Sequence, residues 1–322
     1  MSRTPGRAAA LVLTALLGGG ALWGATAPAP LAAPAPPSPN EALLAALRLC
    51  DRGRVAQALQ AGANPDAKEL AGQAFPLALP CPGPEIAHLL LAKGLDPRRR
   101  NGEGYDALLL AVRAGRADVV PLLLDLGVDP NTALPPPPPE PGAPPVRPGT
   151  RNGDSALLLA VKKKDTATLR ILLDAGADPN RPGEGGTTPL YTAVEQKQIE
   201  TARMLLTHGA DPNVTKNGKP VFVEAVSGGM DMLILLLEHE ADINAVTVDP
   251  DGRGGPGETA LMTAVTLHKK ELVRYLIAAG ADVSIRSTAG DSALDLAEAE
   301  GEKGRIDPEI VKLLREAAGR KE

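Results

Sequence analysis

One helix ending returns along this chain at a nearly fixed interval. It reads LLDLGVDPN at 123–131, LLDAGADPN at 172–180 and LLTHGADPN at 205–213. Gly62, Gly94, Gly127, Gly176, Gly209 and Gly280 share the same place in the pattern. From Gly62 to Gly209 the separations are 32, 33, 49 and 33 residues; Glu240 fills the slot 31 residues on, and Gly280 lies 40 beyond it. A period near 33 rules out one large core and demands a stack of small units.

The unit is clearest at 186–213. Thr188-Pro189 opens a helix, because a hydroxyl suits the N-cap and Pro at the first helical position gives up an N–H with no helical partner. Leu190, Ala193 and Val194 then follow at helical spacing. Ile199, Ala202, Leu205 and Leu206 mark a second helix, which Gly209 can end in the left-handed conformation. Asp211-Pro212-Asn213 is turn chemistry. Two helices this short cannot bury their own apolar faces, so each unit needs neighbours.

TPLYTAV at 188–194 and LLTHGADPN at 205–213 resemble the ankyrin motifs TPLHxAA and LLxxGADxN. The resemblance covers residues 40–319. It implies an all-α fold: an ankyrin-repeat solenoid of about eight helix-turn-helix units with β-turn fingers. Asp106, Ser155, Thr188, Thr259 and Ser292 are expected as N-caps of first helices. Glu240 is expected either to strain its cap or to shift the turn, since left-handed geometry costs a residue with a Cβ about 1 kcal/mol. In the last unit a polar stretch, 300–307, is expected to lengthen the inter-helix turn. Ile310, Val311, Leu313 and Leu314 should then face the preceding repeat.

Outside the repeats, Arg3 and Arg7 precede an uncharged apolar run at 8–25. Residues 1–27 read as a signal peptide or an uncleaved N-terminal membrane anchor attached through 8–25, which suits an exported, bacterial-type protein of the periplasm or cell envelope. The Pro-rich segment 28–39 is a spacer. Two finger insertions break the period: PPPPPEPGAPPVRPG within 133–150, which accounts for the 49-residue gap, and DPDGRGGPG at 249–257.

Function classes fall away in turn. The formal charge is −5, and loss of a leader carrying Arg3 and Arg7 would make it −7, so the surface repels nucleic acid. With 2 Phe, 3 Tyr and 1 Trp there is no base-stacking platform or aromatic cage. The histidines, His88, His208, His239 and His268, lie in different repeats without a close second ligand, so no metal is expected. No nucleophile elbow, phosphate loop or dinucleotide fingerprint occurs, so neither catalysis nor a cofactor is expected.

The resemblance leaves protein binding by a monomeric scaffold, in the groove made by finger turns and first helices. Carried over by slot, the candidate contacts are Tyr105, Arg113, Asp154, Lys162, Lys163, Thr187, Glu195, Gln196, Glu258 and Thr266. Tyr105 is the leading anchor. Lys162-Lys163-Lys164 forms a basic spot beside an acidic one at Glu195. The partner would be a cell-envelope protein; the alternative is a spacer displayed from the membrane without a specific partner. Arg98-Arg99-Arg100 reads as a solvated turn, or as a carboxylate or phosphate site. Cys50 takes the inter-helix glycine slot of repeat one, while in repeat two Pro82 takes that slot and Cys81 precedes it. A disulfide between them needs the packing distance of about 8–10 Å shortened locally, which Pro80, Pro82 and Pro84 could do. The alternative is two free thiols.

Overall fold

Every second helix before the last stops at a residue whose backbone turns left-handed, a geometry that glycine adopts without steric cost. Gly62, Gly94, Gly127, Gly176, Gly209 and Gly280 all do so, at φ between 74° and 97°. At Gly209 the cap is a Schellman pair. Gly209 N–H donates to Leu206 O at 3.1 Å, and Ala210 N–H donates to Leu205 O at 3.0 Å. The structure, a computed structural model, describes residues 36–70, 72–136, 153–248 and 257–319. The expected leader at 1–27, residues 28–35 of the expected spacer, and the insertion segments 137–150 and 249–256 lie outside the described residues. The end of the expected spacer, 28–39, instead starts the first repeat, with Ser38 as N-cap and Pro39 as first residue of its first helix.

The helices come in eight pairs among the described residues. They are α1 (Pro39–Arg48) with α2 (Arg52–Gln60), α3 (Ala74–Ala78) with α4 (Glu85–Ala92), α5 (Ala107–Ala114) with α6 (Val120–Asp125), and α7 (Ala156–Lys163) with α8 (Thr166–Asp174). Then follow α9 (Pro189–Glu195) with α10 (Ile199–Thr207), α11 (Val221–Ala225) with α12 (Met230–Glu238), α13 (Ala260–Thr266) with α14 (Lys270–Ala278), and α15 (Ala293–Glu302) with α16 (Pro308–Gly319). The substantial helix packings join members of one pair or of adjacent pairs, as α5, α7, α9, α11, α13 and α15 do in sequence order. Leu108, Leu172, Leu205, Leu236 and Leu276 lie fully buried in successive layers. The expected caps form: the side chains of Asp106, Ser155, Thr188, Thr259 and Ser292 each accept the N–H three residues on. Each stabilises its helix by about 1 kcal/mol.

The turns that open with an aspartate also connect the layers. Asn131, Asn180, Asn213 and Asn244 each accept, through Oδ1, the N–H of the aspartate in the next repeat's turn, Asp178, Asp211, Asp242 and Asp282, at 2.7 to 2.8 Å. Each of these aspartates caps its own turn two residues on. One asparagine therefore satisfies a backbone donor of the neighbouring unit and fixes the finger spacing. Between the fifth and sixth units a short antiparallel ribbon, β1 (Thr215–Lys216) with β2 (Lys219–Pro220), forms the finger.

Glu240 keeps its place in the ladder at φ 65°, so the cap is strained and the turn is not shifted. Glu240→Gly is expected to raise stability by about 0.5–1 kcal/mol, the relieved strain less the extra freedom of glycine when unfolded. A urea midpoint that stays level or falls would contradict this. Repeat eight departs from expectation in a different way. Its first helix runs on to Glu302, absorbing part of the polar stretch, and Ile310 and Leu314 are fully buried against repeat seven while Lys312, Arg315 and Glu316 are exposed.

The N-terminal end adds cross-links to its caps: Ser38 and Asp51 cap α1 and α2, whereas α3 and α4 have no side-chain cap. Cys50 is left-handed at φ 51°. Pro82 does not take the matching slot: its ring fixes φ near −65°, and Gly83 turns left-handed instead, at φ 72°. The displaced turn brings the Cα atoms of Cys50 and Cys81 to 5.2 Å, and the structure joins them in a disulfide. Arg116 of repeat three reaches back to this turn. Its guanidinium donates to the carbonyls of Leu79, Cys81 and Gly83 and forks onto the Asp118 carboxylate at 2.8 and 2.7 Å.

Arg98, Arg99 and Arg100 are exposed, as expected of a solvated turn, yet each also donates to backbone carbonyls of the chain. Arg98 Nη2 donates to Leu126 O at 3.0 Å and Gly127 O at 2.9 Å. Arg99 Nη1 donates to Asp66 O at 2.8 Å and pairs with its carboxylate at 3.1 Å. Arg100 Nη1 donates to the carbonyls of Gly104 and Ala133 at 2.9 and 2.8 Å. One turn thus ties repeat two to repeats one and three.

Candidate docking face

A first helix of seven or eight residues buries one side against its neighbours and turns its last residues, with the preceding finger, to solvent. Helix α7 shows why. Leu157, Leu158, Ala160 and Val161 are buried, so Lys162 and Lys163 are left exposed at its end. The same register exposes Arg113 on α5, Glu195 on α9 and Thr266 on α13.

The finger residues then meet these charges. Arg113 lies over the Tyr105 ring, 4.4 Å from its centroid, and its Nη1 pairs with Glu103 at 3.0 Å. Tyr105 is consequently half-buried rather than free. Lys162 Nζ stands 2.5 Å from Asp154 Oδ2. Asp154 is itself buried, and its other oxygen accepts the Glu184 N–H at 3.2 Å. Lys216 bridges Glu195, at 3.0 Å, and the Tyr191 ring, 5.3 Å from its centroid. Burial first, then Glu224 and Glu195, pushes the Tyr191 hydroxyl up, so that it stays protonated in ordinary buffers.

The acidic spot at Glu195 is therefore paired within the chain, and so is Lys162 of the basic spot, while Lys163 and Lys164 stay exposed. Exposed pairs of this kind contribute about 0–1 kcal/mol to stability, so their main effect is to fix side-chain positions. Thr187 and Asp154 are buried and leave the accessible face; the Thr187 hydroxyl lies 3.4 Å from that of Thr192. Lys163 is exposed and makes no ion pair among the described residues. Gln196 accepts from Gln198 at 2.7 Å, Glu258 is exposed, and the Thr266 hydroxyl turns back to Met262 O at 3.0 Å. Beside Thr266, Leu267 is 49% exposed, and Val248 in the adjoining finger is 52% exposed.

Glu103 and Lys216 were not singled out from sequence; Glu103 lies in a finger two residues before Tyr105, and Lys216 in the finger of repeat six, where no residue was named. No motif marks them. Among the described residues no group of three or more His, Cys, Asp or Glu is placed to hold a metal ion, and no helix is long and apolar enough to cross a membrane.

Comparison with known proteins follows the same geometry. The family model for ankyrin repeats (3 copies) matches residues 143–216 and 222–321, over half of the chain, and the model for ankyrin repeats (many copies) matches 84–124. Ankyrin repeat and SAM domain-containing protein 6 is 37% identical over 95 residues in Rattus norvegicus and 36% identical over 95 residues in Mus musculus. The match spans 30% of this chain and 10% of the length of those relatives. The crystal structure of the ankyrin repeat domain of Bcl-3, a member of the IkappaB protein family, superposes with a TM-score of 0.57 at 26% identity, covering 79% of this chain and 99% of that one. Ankyrin repeats mediate protein–protein interaction, and none of these matches is a catalytic family.

Proposed function

The chain belongs to the ankyrin repeat family, and from that premise we propose that it is a non-enzymatic scaffold, exported to the cell envelope, that docks a protein partner along its first helices and fingers. The observation that carries this is the run of accessible side chains at the ends of successive first helices, Arg113, Lys163, Gln196 and Thr266, with Glu258 in a finger and the exposed Leu267 and Val248 beside them. These residues stand on buried layers that do not depend on their identity, so they can specify a partner without cost to the fold. The ion pairs of Arg113, Lys162 and Glu195 hold the face in one arrangement and so lower the ordering cost of binding.

Export is supported by two features that act together. The Arg3, Arg7 and 8–25 pattern reads as a leader, and the Cys50–Cys81 bridge needs an oxidising compartment to persist. The experiment places a photo-crosslinking amino acid at Lys163, at Thr266, or at Lys312 on the last helix. The expected result is one protein adduct, recovered from the envelope fraction, at the first two positions and absent at Lys312. Equal labelling at all three positions, or none at Lys163 and Thr266, overturns the reading.

A further inference from the structure

Below the fingers of repeats two to four lies a hollow of about 650 Å³, separate from the face just described. Arg98, Arg100 and Arg181 line it, together with Asp106, Asp129 and Thr132. None of the three guanidiniums pairs with a carboxylate. Arg98 spends Nη2 on two backbone carbonyls, and its Nε and Nη1 donate to nothing among the described residues. Arg100 donates to two carbonyls and to the Thr132 hydroxyl. The Arg181 side chain is exposed and makes no bond among the described residues.

The two aspartates are occupied by their own turns. Asp106 accepts the Leu109 N–H and the Thr132 O–H, and Asp129 accepts the Asn131 N–H at 2.8 Å. Backbone carbonyls position a guanidinium without cancelling its charge. By the same reasoning Asp106 and Asp129 keep their charges, so the hollow carries three guanidiniums against two carboxylates, a local excess of positive charge, with Arg98 and Arg100 held by backbone carbonyls and Arg181 exposed. Such a fork is pre-organised for carboxylate oxygens.

We propose that this hollow is a secondary docking site for the carboxylates of an acidic segment of the protein partner, a step that rests on the docking function above. In a chain of formal charge −5 it is a local exception, and so it selects against basic or neutral segments.

The test uses fluorescence anisotropy with the intact chain and a fluorescein-labelled peptide of alternating Gly and Glu. A Gly-Lys peptide serves as the reversed-charge control. Arg181→Glu is expected to weaken Gly-Glu binding by about tenfold or more, the loss of one charge-assisted hydrogen-bonded contact. Lys312→Glu makes the same change in net charge far along the chain and should alter binding by less than about twofold. The proposal is overturned if the Gly-Glu peptide does not bind, if the Gly-Lys peptide binds as well, or if the two variants lose affinity equally. If Arg181→Glu leaves the Lys163 and Thr266 crosslinks intact while peptide binding is unchanged, the docking face stands and this site alone falls.

Discussion

Replacing Cys50 and Cys81 together by alanine is expected to destabilise the first two repeats by about 3–4 kcal/mol, the chain-entropy value for a loop of this length. The bridge spans a sequence separation of 31 residues, so cutting it frees a whole repeat in the unfolded state. The position amplifies the effect. Repeat one has a packed repeat on one side only, and α3 is a five-residue helix without a side-chain cap. Its terminal turn also contains Pro80, Pro82 and Pro84, which supply no N–H. Urea unfolding followed by circular dichroism checks the value, and wild-type protein in reducing buffer should match the double variant. A loss below about 1 kcal/mol would mean that the bridge is incidental to stability.

Arg116→Met is expected to cost about 2–4 kcal/mol, because one side chain satisfies three carbonyls of that donor-poor turn. The guanidinium is only 14% exposed, so water does not readily replace it. Arg116 hydrogen bonding also holds the Asp118 carboxyl below its usual range, against a smaller opposing effect of burial. A carboxyl lowered on folding stabilises the native state above its unfolded value. That contribution is lost as pH falls below about 4, through the folded value. Arg116→Met should therefore be less stable at neutral pH and lose less on acidification than wild type does. Equal losses at neutral and acid pH would contradict the coupling. Asp118→Asn should not add fully to Arg116→Met, since the two act through one contact.

The fold was legible because its determinants are local and repeat. A glycine that must turn left-handed, a hydroxyl before Pro, and leucines at helical spacing each make sense within one unit. The period then supplies the stacking. The cross-repeat bonds were much less legible. Asn180 reads as a turn residue, and only the stack shows its side chain meeting the Asp211 N–H. Arg98, Arg99 and Arg100 read as a surface run because their acceptors are backbone carbonyls, which leave no trace in sequence. Likewise, Lys162 reads as a free charge until Asp154, eight residues earlier, is folded against it. The slots of the candidate face were readable; their exposure was not, since burial of Asp154 and Thr187 depends on the finger conformation.

Native-state hydrogen exchange along the chain tests most directly whether each repeat is held by its neighbours. Protection should peak in α7 to α10, where both flanking layers are present and the caps are regular, and decline stepwise toward α1 and α16. Reduction should remove protection from α1 to α4 before it affects α9. A single opening free energy shared by all amides, insensitive to reduction, would show one cooperative core and contradict the layered account.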